Sequence, residues 1–326
     1  MMPSRIGIAT MVRCFKPLVL SVLLLGLVMV AIEAATAEDS LQESFSVVLL
    51  PDTQKYAEKF PETYVKQTLW IRQQSKMNNI KFVIHLGDIV QNPTKEHEWE
   101  NAHRAMQMLD GVVPYSVVPG NHDMVVKERN TTLYNKFFSP TRFKDRKWYG
   151  GHLGETNDNN YCYFEHGKLK FMVISLEFAP RDDTLNWAAK VCREHPQHRV
   201  IVATHCYMRT KGRDTGCATS YNVAGNSGED IWQKLVRKQP NIFFVISGHV
   251  LGVGLQTSTN DAGGKVVEML TDYQGLPNGG DGWLRELTFV PEKNKIKVTT
   301  YSPLLDKTNN AANESFSFDY KMTTGK

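Results

Sequence analysis

Short polar clusters recur along this chain, each behind a glycine or at the end of an apolar run: Pro51-Asp52-Thr53-Gln54, Gly87-Asp88, Gly120-Asn121-His122-Asp123, Thr204-His205 and Gly248-His249. Asp52, Gln54, Asp88, Asn121, His205 and His249 together offer carboxylate, carboxamide and imidazole donors. That mixture suits divalent ions of intermediate hardness such as Mn, Fe, Zn or Ni, whereas carboxylates alone would point to Mg or Ca. Glycine ahead of Asp88, Asn121 and His249 lets the backbone turn sharply and come close to a small ligand. Each residue also has a plainer reading: Asp52 as a turn or capping carboxylate, Gly87-Asp88 as a common turn pair, His205 as a hydrogen-bonded core histidine. The ordered recurrence favours a metal site over those separate explanations.

Most of these clusters follow runs of consecutive apolar residues at 46–50, 81–86, 115–118, 200–204 and 242–247, with a further run at 171–175. Consecutive apolar residues over that length suit strands buried on both faces. Helices are expected between them at 61–79, opened by a proline in its first turn, and at 96–110, 182–194 and 228–239. Alternating strands and helices imply a layered α/β domain, and open α/β sheets place their ligand crevice at the carboxyl ends of the strands. After Gly248 the pattern changes to period-2 strands at 265–273, 283–290, 295–301 and 315–320, with a hairpin at 291–294. Internal repeats and low-complexity linkers are missing, and one domain over residues 38–326 is expected.

In this order the clusters resemble the calcineurin-like metallophosphoesterases, whose signature runs Asp-x-His, Gly-Asp, Gly-Asn-His-Asp/Glu, a lone His and Gly-His-x-His. The resemblance spans residues 52–251 and implies a four-layer αββα sandwich with two mixed β-sheets. It makes Asp88 the carboxylate bridging two metal ions, with Asn121, His205 and His249 completing one site. The partner site would take Asp52, position 54 and position 251. There the chain departs from the pattern, with Gln54 and Leu251 standing where the family has histidines. Glutamine still offers a carbonyl oxygen and leucine offers nothing, so that site is expected to be harder and sparser. The chemistry implied is in-line attack on phosphorus by a hydroxide generated from metal-bridging water. His122 would then assist the leaving group, with Asp123 orienting it through the other ring nitrogen. A metal-dependent hydrolase of phosphomonoesters or phosphodiesters is expected. The alternative is a metal-binding module on the same fold that has lost turnover, and the retained His122-Asp123 pair favours the enzyme.

Composition agrees with a globular protein: 326 residues with 41% hydrophobic and 22% charged exclude disordered and fibrous classes. Lys plus Arg number 38 against 34 for Asp plus Glu, without a run of like charges, so no nucleic-acid arm is evident and a small phosphate ester is the expected partner. Arg5, Arg13 and Lys16, an apolar stretch at 18–32 and Ala35-Thr36-Ala37 read as a signal peptide over residues 1–37. The stretch is shorter than the ~20 residues a membrane-spanning helix needs, so an exported chain without a membrane span is expected, an uncleaved anchor being the minority reading. Cys162, Cys192, Cys206 and Cys217 leave pairing open, with a Cys206–Cys217 disulfide and four reduced thiols equally compatible. Thiolate zinc spacing is lacking. Gln91 could face the cleft; Arg209, Lys211 and Arg213 could hold a phosphate or be solvated. Asp272-Tyr273-Gln274 could line the pocket or simply form a turn. Specificity would rest with the loops at 124–160 and 206–228, and the sequence singles out neither a substrate nor an oligomeric state.

Overall fold

Phe45–Leu50 is buried along its whole length because its two faces meet different layers. Phe45, Val47 and Leu49 join a core shared by two sheets, while Val48 and Leu50 pack among helical residues such as Ile71, Trp99 and Ala102. The structure is a computed structural model that describes residues 43–322. The expected signal peptide, 1–37, lies outside the described residues.

One seven-stranded sheet runs β13 (Lys307–Asn309), β12 (Lys295–Ser302), β11 (Leu284–Val290), β1 (Phe45–Leu50), β2 (Ile80–His85) and β3 (Tyr115–Ser116), with β14 (Phe316–Asp319) on β12. Strands β1, β2 and β3 are parallel, and β11 is antiparallel to β1. The other seven-stranded sheet runs β4 (Tyr149–His152), β5 (Asn160–His166), β6 (Leu169–Leu176), β7 (Arg199–Thr204), β8 (Ile242–Ser247), β10 (Lys265–Asp272) and β9 (Gly252–Thr259). Its parallel centre is β6-β7-β8-β10, flanked by antiparallel pairings at both edges. Helices Pro61–Gln74 and Glu96–Met106 cover the first sheet, and Asp182–Glu194 and Gly228–Lys234 cover the second. The four-layer αββα sandwich with two mixed sheets is therefore present.

Three predicted helices end early. The first stops at Gln74, and the chain enters β2 through Asn79 in the left-handed region at φ 48°. The second and fourth tighten into 3-10 turns at Gln107–Leu109 and Val236–Lys238. Strands β4, β5, β9 and β13 escape the sequence patterns. None of the β9 side chains is fully buried, because the strand is an edge held by backbone pairing to β10, so it needs no apolar run. Among the described residues no helix is long and apolar enough to cross a membrane.

Phe171 ties the sheets together. Its ring stacks on Phe164 at 4.8 Å and meets Phe45 and Phe289 of the opposite sheet, each at 5.5 Å. Phe171→Ala should lower unfolding stability by about 3–5 kcal/mol, through lost transfer energy plus a cavity. The measurement is urea unfolding, with the midpoint falling and the slope unchanged.

Candidate metal centre

The carboxyl ends of β1, β2, β7 and β8 and the segment after β3 meet along one edge of the sandwich. Asp52, Asp88 and His249 all sit in the left-handed region, at φ 38°, 48° and 72°. Side-chain-bearing residues rarely accept that conformation unless their surroundings enforce it, and such strain clusters at functional sites. The neighbouring glycines are required by space. A Cβ on Gly120 would lie 2.2 Å from Asp88 Oδ1, and one on Gly248 would lie 2.1 Å from Asp52 Oδ2.

His205 is the hub. Its Nδ1 lies 2.9 Å from the carbonyl oxygen of Leu86, which can only accept, so Nδ1 donates. Its Nε2 stands 3.2 Å from Asp88 Oδ1, 3.1 Å from Asn121 Oδ1 and 3.2 Å from His249 Nδ1. The Asn121 amide is turned by its Nδ2, which donates to the Tyr221 hydroxyl at 3.2 Å. With Nδ1 carrying the hydrogen, neutral His205 presents a lone pair to two oxygen acceptors, a conflict that a proton or a metal ion resolves. Donors about 2.0–2.1 Å from one tetrahedral ion stand about 3.3 Å apart, close to the spacing seen here. Burial opposes charge on His205, yet the adjacent Asp88 carboxylate carries its pKa above the usual imidazole range. Burial likewise works against charge on Asp88, but His205 holds its carboxyl at about 2. Burial and then the His205 charge push His249 down to about 4.

The other half of the cluster is built from oxygens. Asp52 Oδ1 accepts the backbone N–H of His249 at 3.1 Å, while Asp52 Oδ2 is buried without a hydrogen-bond partner. Gln54 donates through Nε2 to Asp88 Oδ2 at 3.0 Å and also to Gln274 Oε1, while its own Oε1 is buried and partnerless. Asp272 holds Gln274, accepting its backbone N–H at 2.8 Å and its side-chain Nε2 at 3.0 Å. Burial, then the charges of Asp272 and Asp88, raise the Asp52 carboxyl well above its ordinary range. Among the described residues no lysine or arginine ion-pairs with Asp52, Asp88, Asp123 or Asp272. Buried carboxylates with no lysine or arginine partner, and the bare oxygens of Asp52 and Gln54 among them, fit a cation. Leu251 is 58% exposed at the rim, beside Gly275.

The expected contact between Asp123 and the His122 ring does not form. Both Asp123 oxygens are taken by backbone donors: Ile89 at 2.8 and 3.1 Å, Val90 at 3.0 Å and Gly120 at 2.8 Å. The turn Asn121–Asp123 points this carboxylate back at the loop after β2, where it staples two strand-end loops together. His122 is held instead by the backbone carbonyl of Gln91, which accepts from Nδ1 at 2.8 Å, while its own N–H donates to Asp88 Oδ1 at 2.9 Å. Gln91, read from the sequence as a cleft residue, thus meets His122 through its main-chain carbonyl, and its side-chain Nε2 lies 3.3 Å from the same ring nitrogen.

The sequence pattern of the Metallophos family, described as calcineurin-like phosphoesterase, matches residues 45–252. The chain belongs to that family. This calcineurin-like phosphoesterase is 34% identical over 275 residues to the uncharacterized protein YvnB of Bacillus subtilis (strain 168), covering 82% of the present chain. The match spans only 20% of that relative's length. A solved structure with the same fold is the purple acid phosphatase PPD1 from yellow lupin (Lupinus luteus) seeds, at a TM-score of 0.55 and 13% identity, with 86% of this chain and 54% of that chain covered.

Two readings of the phosphoesterase that its sequence left open take a definite form. Arg213 is neither solvated nor free for phosphate: it pairs with Glu268 at 2.6 Å and Glu229 at 3.0 Å, and its guanidinium lies 3.9 Å from the centre of the Trp232 ring. Arg209 pairs with Asp214 at 2.9 Å. All four cysteines of the described residues are reduced and buried. The thiols of Cys206 and Cys217 and a ring nitrogen of His249 lie within 4.8 Å of one another, so the pair borders the cluster. Tyr221 had no place in the sequence-derived site, and Asp272 and Gln274 figured only as a possible pocket lining or a turn. A usable signal existed for Asp272 and Gln274, since they follow β10, which pairs parallel to β8 beside the His249 turn.

Proposed function

We propose that this phosphoesterase is an exported, metal-dependent hydrolase of a phosphomonoester or phosphodiester, working at a binuclear centre. The observation that carries the reading is the convergence of Asp88 Oδ1, Asn121 Oδ1 and His249 Nδ1 on His205 Nε2 at 3.1–3.2 Å, with partnerless Asp52 Oδ2 and Gln54 Oε1 beside it. Asn121, His205 and His249 would hold one ion, Asp52 and Gln54 the other, and Asp88 would serve both through its two oxygens. When bound, divalent ions supply positive charge to phosphoryl oxygens and make water acidic enough to give hydroxide near neutral pH.

The chain's own groups do the rest. His122, with Nδ1 occupied by the Gln91 carbonyl, keeps Nε2 for the leaving-group oxygen, to which it hands a proton. Asp123 fixes the backbone that carries His122 and acts by positioning. Export rests on the leader pattern of residues 1–37. A module that binds metal without turnover is favoured by one feature: Leu251 brings no donor to the first site. The test is metal content by mass spectrometry on residues 38–326, together with hydrolysis of an aryl phosphate monoester and diester in added manganese. Metal with turnover supports the enzyme; tightly held metal with no hydrolysis under any ion would leave the binding module.

A further inference from the structure

Gln54 Nε2 donates to two oxygens at once, Asp88 Oδ2 at 3.0 Å and Gln274 Oε1, so those oxygens converge on a single point. Two more oxygens on the turn after β1, Asp52 Oδ2 and Gln54 Oε1, are buried without partners, on residues each only 1% exposed. The direction of the Gln274 amide is set from behind. Asp272 Oδ2 accepts from its Nε2 at 3.0 Å, which turns Oε1 toward Gln54. Asp272 is itself 1% exposed and also accepts the Gln274 backbone N–H at 2.8 Å, so the loop after β10 has little freedom.

We infer that Gln274, oriented by Asp272, supplies the donor that Leu251 cannot, completing the first metal site with Asp52, Gln54 and Asp88 as an all-oxygen set. The inference rests on the metallophosphoesterase reading and adds a residue outside the stretch that matches the family, 45–252. It also assigns different chemistry to the two halves of the centre. Carboxylate and carboxamide oxygens suit hard ions such as Mg²⁺ or Mn²⁺, while the half with His205 and His249 suits Zn²⁺. Asp272 is a positioning residue here, acting through the amide it holds, in the way that groups behind metal ligands orient them.

The test is Mn²⁺ titration of residues 38–326 followed by electron paramagnetic resonance, with bound metal counted by mass spectrometry. In the unaltered chain two classes of Mn²⁺ site are expected, of which added Zn²⁺ displaces one. Gln274→Ala should weaken the Zn²⁺-resistant class by about 10- to 100-fold and leave the other class in place. The Zn²⁺-displaceable class, still bound by Gln274→Ala, shows that the variant folds. His249→Ala should remove the Zn²⁺-displaceable class instead. A Gln274→Ala titration that superimposes on the unaltered chain overturns the inference. An unaltered chain with one class of site overturns it while leaving a metal-dependent enzyme standing, and a chain that binds no metal overturns both.

Discussion

Changing Asp88 to Asn is expected to strip metal from the protein and bring hydrolysis down to the uncatalysed background. Both carboxylate oxygens are engaged: Oδ1 faces His205 Nε2 at 3.2 Å and accepts from His122 N–H at 2.9 Å, and Oδ2 accepts from Gln54 at 3.0 Å. Each oxygen of Asp88 thus meets a different half of the cluster. Loss of a group behind a ligand costs metal affinity about 10- to 100-fold, and removal of a shared ligand's charge should exceed that at both sites. The amide would also present N–H where lone pairs gather, and it would leave the buried His205 imidazole without the carboxylate that favours its charged form. Metal content by mass spectrometry and turnover of an aryl phosphate, measured on one preparation, check the result. Full metal loading with normal turnover would remove Asp88 from the centre.

His122→Ala should behave differently: turnover falls by about 10²- to 10⁴-fold while metal content stays as it was. The His122 ring reaches none of the clustered donors, because its Nδ1 is tied to the Gln91 carbonyl. The size of the loss should depend on the leaving group. Esters of acidic phenols, which depart without a proton, should suffer least, and alkyl esters most. A required proton donor also makes the rate fall toward alkaline pH, and that limb of the pH–rate profile should flatten in the variant. If metal content fell instead, the ring would be structural. Uniform loss across leaving groups would deny it the proton transfer.

Much of the centre was legible because each donor lies just past a strand or a glycine, where local sequence dictates both the element and its end. Gly120-Asn121-His122-Asp123 and Gly248-His249 could be placed in that way. The partner of Asp123 could not: the same residues allow its carboxylate to face the imidazole or the backbone of the next loop, and three strand-end N–H groups win. Arg213 illustrates the same limit. In the sequence it sits in a polar loop beside other cations, yet Glu268 on β10 and the Trp232 ring claim it. Gln274 was indistinct because its relation to Gln54 spans 220 positions of chain.

By itself the sequence determined the buried strands, the layered class, the donor types and the order in which they occur, since these depend on apolar runs, punctuation and side-chain chemistry read locally. The tertiary structure alone decided which donor atoms converge, which oxygens stay bare, and that Asp52, Asp88 and His249 are held in left-handed conformations. The physical reason lies in the packing between the sheets. Phe45, Phe171 and Phe289 set how the sheets stack, and that stacking brings the ends of β1 and β2 against those of β7 and β8 at hydrogen-bond distance.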